Sequence, residues 1–192
     1  MSTGRLEAFS DAVIAIAITV MVLELKTPDG ATWGALHHVL ARFLTYLLSF
    51  VMLGIYWNNH HHMLQVTERV NGAILWANLH LLFWLSLFPY FTEWMGENHF
   101  AKTPTAAYGV VLLLAAIAFY ILMRAIVADQ GPDSVVQARI GRDLKGRLSP
   151  VAYALSIPLA YVNRWIAVAI FVGVACVWLI PDRRMESQLS TD

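Results

Sequence analysis

The sequence predicts an all-α integral membrane protein with six transmembrane helices, and three observations carry that reading. The 192-residue chain is 58% hydrophobic and only 14% charged, where a soluble domain sits near half apolar and a quarter charged. Six apolar stretches stand out, at 6–25, 33–57, 70–94, 105–128, 148–162 and 165–180. Turn-forming or charged links separate them, as hydrophobic spans joined by polar loops require. The whole of 1–192 reads as a single domain. Net charge is zero, so no global field points to nucleic acid. The one cysteine, Cys176, lies in an apolar run and supports neither an internal disulfide nor a cysteine metal site. The N-terminus lacks the basic lead and small-residue cleavage site of a secretory signal.

The first stretch, RLEAFSDAVIAIAITVMVLEL over Arg5–Leu25, is long enough to cross a bilayer. It carries Arg5, Glu7, Asp11 and Glu24, and a charge on a lipid-facing helix costs on the order of 3 kcal/mol or more. Between Asp11 and Glu24, Thr19 is the one polar side chain. Such a helix belongs among protein neighbours or around water, and it reads as the inner helix of a pore. At about 100° per residue, Phe9, Ala12, Ile16, Thr19, Val20 and Leu23 share one stripe, and Ser10 and Asp11 point away from it. Spacing alone fits ordinary helix packing of Ile16 and Leu23 equally well.

Thr27-Pro28-Asp29-Gly30 ends this stretch as a turn. The second carries Arg42, Ser49 and Gly54 and closes in the polar knot Asn58-Asn59-His60-His61-His62. The third holds Asn71, Asn78, His80 and Ser86 before Pro89, and a polar link over 95–103 follows. The fourth, with VVLLLAAIAFYILM, is the cleanest lipid-facing candidate. A charged loop over 129–147 has room for a short helix at 134–144. The fifth is short and interrupted by Pro150 and Pro158, and Asn163-Arg164 turns the chain into the sixth. Pro181-Asp182-Arg183-Arg184 stops the sixth, and 185–192 reads as a disordered tail.

Basic residues orient the chain. With the N-terminus inside and six spans, Arg5, Arg69, Arg124, Arg139, Arg142, Lys145, Arg147, Arg183 and Arg184 fall on the inner side, against Lys26, Lys102 and Arg164 outside. That bias places both termini in the cytoplasm and the protein in the cell (inner) membrane. Trp33, Trp57, Trp94 and Trp165 fall near span ends, as an aromatic belt does.

Polar groups within spans need partners. In this orientation Arg5, Ser10, Asp11, Trp57, His60, Asn71 and Asn78 share a depth, so one hydrogen-bonded cluster can join three helices, with Asp11 held by His60 or the Trp57 N–H. The plain reading of such a cluster is helix–helix glue, worth roughly 0.6 kcal/mol per pair and up to ~2. Consecutive helical residues point about 100° apart, so His60, His61 and His62 cannot converge on one ion without unwinding, and no metal site is expected. A pH effect through His60 is the more natural role, because imidazole titrates near neutrality. The sequence holds no G-x-S-x-G, no H-E-x-x-H and no phosphate-cradling glycine loop, so it does not read as an enzyme. Glu93, Glu97 and His99 read as a solvated outer loop.

Arg5-x-x-x-Phe9-Ser10-Asp11 opening the first span resembles the signature of the transmembrane protein 175 family of endosomal and lysosomal potassium channels, in its single-unit prokaryotic form. Further matches are Ile16-x-x-Thr19-x-x-x-Leu23, Trp57-x-x-His60-His61, Asn78-Leu79 and Ser86-Leu87-Phe88-Pro89. The resemblance covers the first three spans, and the last three match in number and length. It implies a potassium-permeable channel assembled as a homotetramer, with the first helix of each subunit at the axis. It implies Ile16, Thr19 and Leu23 as pore lining, with Val20 on the same stripe. Arg5, Phe9, Ser10 and Asp11 would hold the pore helix, partnered by Trp57, His60 and Asn78. Thr-Val-Gly-Tyr-Gly does not occur in the sequence, so a carbonyl-cage filter of that kind is excluded. No cofactor is implied beyond the permeant potassium ion, and the partners implied are identical subunits and lipid. The alternatives are a proton-conducting protein or proton-coupled secondary transporter working through Asp11 and His60, and an accessory membrane protein with no pore.

Overall fold

A computed structural model describes residues 2–131 and 144–180 of the chain, and every regular element among them is helical. They are α1 (Thr3–Leu23), α2 (Trp33–Gln65), α3 (Gly72–Ser86), α4 (Phe88–Glu97), α5 (Lys102–Gln130), α6 (Leu144–Val162) and α7 (Arg164–Leu179). Four stretches are long and apolar enough to cross a membrane: Thr3–Leu23, Val39–Gln65, Gly72–Glu97 and Lys102–Gln130. Helix α7 is apolar but shorter, and α6 carries both prolines inside it. The short helix expected at 134–144, save its last residue, and the tail 185–192 fall outside the described residues.

Local chemistry sets most of the boundaries. Side-chain oxygens of Thr32, Asn71 and Asn163 accept the amide hydrogens of Ala35, Ile74 and Trp165, starting α2, α3 and α7. Most ends shift by a few residues, and two departures from the sequence reading are larger. Helix α2 does not stop at Trp57 but runs on through the asparagine–histidine knot to Gln65. Those side chains find protein partners: Asn59 Nδ2 donates to the Ile55 carbonyl at 2.8 Å, and His60 and His61 reach α3 and α1. At 33 residues, α2 is about 50 Å long, well beyond the roughly 30 Å of a hydrocarbon core. The third stretch is two helices, not one. Pro89 has no amide hydrogen for the Leu85 carbonyl, and the chain breaks at Leu87, whose N–H turns back to the Trp84 carbonyl at 3.3 Å.

Helix α5 is the axis of the larger half, packed by α3, α4, α6 and α7, while α1 lies against α2, α3 and α4. Its small residues Ala115 and Ala118 are fully covered. Tyr108 sits between the rings of Phe88 and Phe171 at 5.9 and 5.5 Å, near edge-to-face geometry. Its hydroxyl and that of Thr92 both meet Ser49 Oγ, at 2.8 and 2.6 Å, so no hydroxyl in this buried trio is left unpaired. At the α1 C-terminal end of the bundle, Glu97 Oε1 accepts from Lys26 Nζ at 3.0 Å and from Arg42 at 3.1 Å. This joins the segment after α1 to α2 and α4; Glu97 is solvent-exposed, as the sequence reading expects, but stands at the last turn of α4 and not in a loop.

Gly96 marks where α4 presses on α2. A Cβ there would lie 2.6 Å from Thr45 Oγ1 and 2.9 Å from the Arg42 Cα, a backbone atom with nowhere to go. Alanine normally gains about 1 kcal/mol over glycine in a helix. Overpacking of this kind costs about 1–3 kcal/mol and outweighs that gain. Gly96→Ala is therefore expected to lower the thermal unfolding midpoint in detergent. Gly173→Ala, with nothing within 4 Å, is expected to leave it unchanged or raise it.

Candidate functional site

Helix α1 has two unlike faces. Leu6, Ser10, Ile14, Ala17 and Met21 recur at helical spacing and are buried against α2, α3 and α4. The opposite stripe, Phe9, Ala12, Ile16, Thr19, Val20 and Leu23, is exposed along its whole length. Ile16 is 61% and Leu23 80% exposed. A chain of this composition does not leave such a row bare without a partner surface, a lipid face or a conduit to meet it. Thr19 is the polar break in the row, and its hydroxyl donates to the Ile16 carbonyl at 2.9 Å. With its proton so committed, the oxygen presents lone pairs to whatever the stripe faces.

Behind the stripe lies a polar lattice with assignable directions. Asn78 Nδ2 donates to Ser10 Oγ at 3.0 Å, and Ser10 donates onward to the Leu6 carbonyl at 2.8 Å. Asn78 Oδ1 must then accept, so His60 Nε2–H donates to it at 2.8 Å. All three side chains are fully buried. One amide thus joins α1, α2 and α3. Closer to solvent, Trp57 Nε1 donates to Asp11 Oδ1 at 3.0 Å, and the His61 ring meets Glu7 Oε1 at 2.7 Å. Trp57 stacks on His61 with centroids 5.8 Å apart and planes 17° off parallel. Gln65 Nε2 donates to the second His61 nitrogen at 2.8 Å, and Thr3 Oγ1 donates to the Thr67 carbonyl at 3.2 Å.

Of the two partners weighed for Asp11, the structure pairs it with Trp57, while His60 serves Asn78. Arg5 and Phe9 stand outside the lattice: both are exposed, because Leu6 and Ser10 take the inward positions on their turns. Asn71 stands apart too, capping α3 and donating to Asp129 on α5 at 2.8 Å. The three histidines diverge as a helix dictates. His60 turns to α3, His61 to α1, and His62 lies beside the His61 ring at 5.6 Å. Among the described residues no three His, Cys, Asp or Glu side chains converge on a metal position. Sequence reasoning missed Glu7, Gln65 and the role of His61. The signal was present: Glu7 and Asp11 are four apart, as are Trp57, His61 and Gln65, so matching stripes face each other across α1 and α2.

Comparison with known proteins bears on the same region. The family described as "Endosomal/lysosomal potassium channel TMEM175" matches residues 5–89, a span that holds the bare stripe and nearly all of the lattice. A protein of Chryseobacterium sp. (strain P1-3) named a potassium channel is 51% identical over 98% of this chain and 98% of its own length. A Danio rerio protein named an endosomal/lysosomal proton channel is 28% identical over 68% of this chain and 25% of its own length. A solved structure, described as a lysosomal potassium-selective channel TMEM175 homologue from Chamaesiphon minutus, shares the fold with a TM-score of 0.82 and 28% identity, covering 93% of this chain and 96% of that one. With one relative matched over almost its full length and the family signature lying on the helix that the lattice fixes, the chain belongs to the TMEM175 family.

Proposed function

We propose that the chain is one subunit of a homotetrameric, potassium-permeable cation channel whose conduction path is walled by four copies of α1. The observation that carries this is the bare stripe: an apolar row on the first helix, uncovered by its own subunit, in a family whose bacterial relatives are named potassium channels. One helix cannot enclose a path, whereas a closed ring of identical subunits turns the same stripe inward four times. In this arrangement Ile16 and Leu23 form greasy constrictions that gate by dewetting. Thr19 offers a ring of hydroxyl oxygens to a partly hydrated ion, and Val20 lines or backs the wall. Selectivity from such a wall is modest, since no backbone-carbonyl cage replaces the hydration shell. Ser10, Asp11, Trp57, His60 and Asn78 hold the wall in rotation. The chain crosses the cell membrane six times with both termini in the cytoplasm, and it needs no cofactor beyond the permeant ion.

A second reading, proton permeation along the same path, draws support from the Danio rerio relative named a proton channel. It also draws on a carboxylate, Asp11, held by an N–H one turn from the stripe. The two readings separate cleanly. Purified protein in a planar bilayer under bi-ionic potassium/sodium conditions is expected to give a reversal potential favouring potassium. A reversal potential that follows only the pH gradient would replace potassium conduction with proton conduction. Flux that strictly requires a coupled proton would reject a channel altogether.

Ile16→Asn puts an amide in the proposed constriction, and it is expected to raise sodium permeability relative to potassium by about tenfold, near 1.4 kcal/mol of lost discrimination. An unchanged ratio removes Ile16 from the selective wall. Asn78→Leu strands His60 Nε2–H in the interior, a loss of roughly 1–3 kcal/mol. It is expected to lower the unfolding midpoint and the yield of tetramer on size-exclusion chromatography. Ile16→Asn, at an exposed position, is expected to change neither.

A further inference from the structure

At the end of the bundle where α1 begins, helices α2, α5, α6 and α7 part around a cleft of ≈ 880 Å³, mouth included. No residue of α1 lines it. Its deep walls are apolar and aromatic: Tyr56, Phe119, Met123 and Tyr153 among others, with Met123 and Tyr153 buried. Two arginines, Arg124 from α5 and Arg147 from α6, line it as well, and both are exposed. Among the described residues no carboxylate lines it, and neither arginine forms an ion pair. The neutral polar groups of the wall are largely committed elsewhere. Trp178 Nε1 donates to Ser149 Oγ at 2.9 Å, Ser149 donates to the Lys145 carbonyl, and Asn59 Nδ2 donates to the Ile55 carbonyl.

A cleft with two guanidinium groups, no acidic residue among its described lining and an apolar depth suits an anionic amphiphile. We propose that it seats an anionic phospholipid of the adjoining leaflet, with the phosphate held by Arg124 and Arg147 and one acyl chain laid along Phe119, Met123 and Tyr153. Arginine is the side chain suited to this task, because its planar fork matches phosphate oxygens. A zwitterionic headgroup would bring an ammonium against two guanidinium groups with no lining carboxylate to receive it. Free phosphate would satisfy the arginines but leave the aromatic depth unfilled, which makes the lipid the better occupant. Acyl chains are as apolar in the bilayer as in the cleft, so charge sets the preference and the cleft's shape sets the pose.

The test is native mass spectrometry of the purified full-length assembly titrated with phosphatidylglycerol or phosphatidylcholine. Phosphatidylglycerol is expected to bind at least tenfold more tightly. Arg124→Gln with Arg147→Gln is expected to weaken it by about tenfold per arginine while leaving phosphatidylcholine unaffected. Arg124→Lys with Arg147→Lys keeps the charge but not the fork and is expected to bind more tightly than the glutamine variant and less tightly than the original, which separates a lost ligand from a damaged fold. Millimolar inorganic phosphate is expected not to displace the lipid. Equal binding of the two lipids, glutamine variants that bind like the original protein, or full displacement by inorganic phosphate would each overturn the proposal.

Discussion

The amide of Asn78 is the fixed point of this structure. It is fully buried, accepts a hydrogen bond from His60 and donates one to Ser10. A buried polar group left unpaired costs roughly 1–3 kcal/mol, so the three helices that supply these atoms have one rotational register that satisfies all of them. For α1 that register has a consequence far along the helix. With Ser10 turned inward, helical geometry turns Ile16, Thr19 and Leu23 outward, and rotating α1 by a single residue would strand Ser10 and bury half the stripe. The lattice and the bare face are one constraint seen from two sides.

The same helix is held differently at its other end. Beyond Leu23, Lys26 joins Arg42 on the Glu97 carboxylate, so the segment after α1 is tied to α2 and α4 by charge. Exposed ion pairs are individually worth little, and this one is partly exposed. Gly96 supplies the complementary contact, bringing α4 within backbone range of Arg42. Between these two anchorages the middle of α1 carries only apolar packing on its inner face. It is the part of the helix with the fewest directional ties.

Much of this was legible in the chain itself, and the omissions have physical causes. Hydropathy marks apolar stretches well, and a 100° wheel was enough to place Phe9, Ala12, Ile16, Thr19, Val20 and Leu23 on the face the structure leaves uncovered. The shared depth of Ser10, His60 and Asn78 was also visible. The Trp57 N–H was one of two partners open to Asp11, but the pairing of Asn78 with His60 and Ser10 was not visible, because those partners are 18 and 68 residues apart and composition carries no distance. Asn71 looked equivalent to Asn78 and instead caps a helix. Arg5 and Phe9 belong to the family signature yet face away from the subunit's interior, a distinction only the helix phase makes. The knot at 58–62 looked like a span end because asparagine and histidine are read as loop formers. It stays helical because His60 and His61 find partners on α3 and α1 and Asn59 on its own helix. The break at Leu87 follows from Pro89, which hydropathy averages away.

The reach of α2 has a mechanical meaning. A rod of about 50 Å in a slab of about 30 Å must either lean or stand proud of the surface, and fractions of a kcal/mol per Å decide which. Near its Gln65 end this rod grips α1 through Glu7 and Asp11. Because those hydrogen bonds join the two helices, a tilt of α2 would carry the first turns of α1 with it.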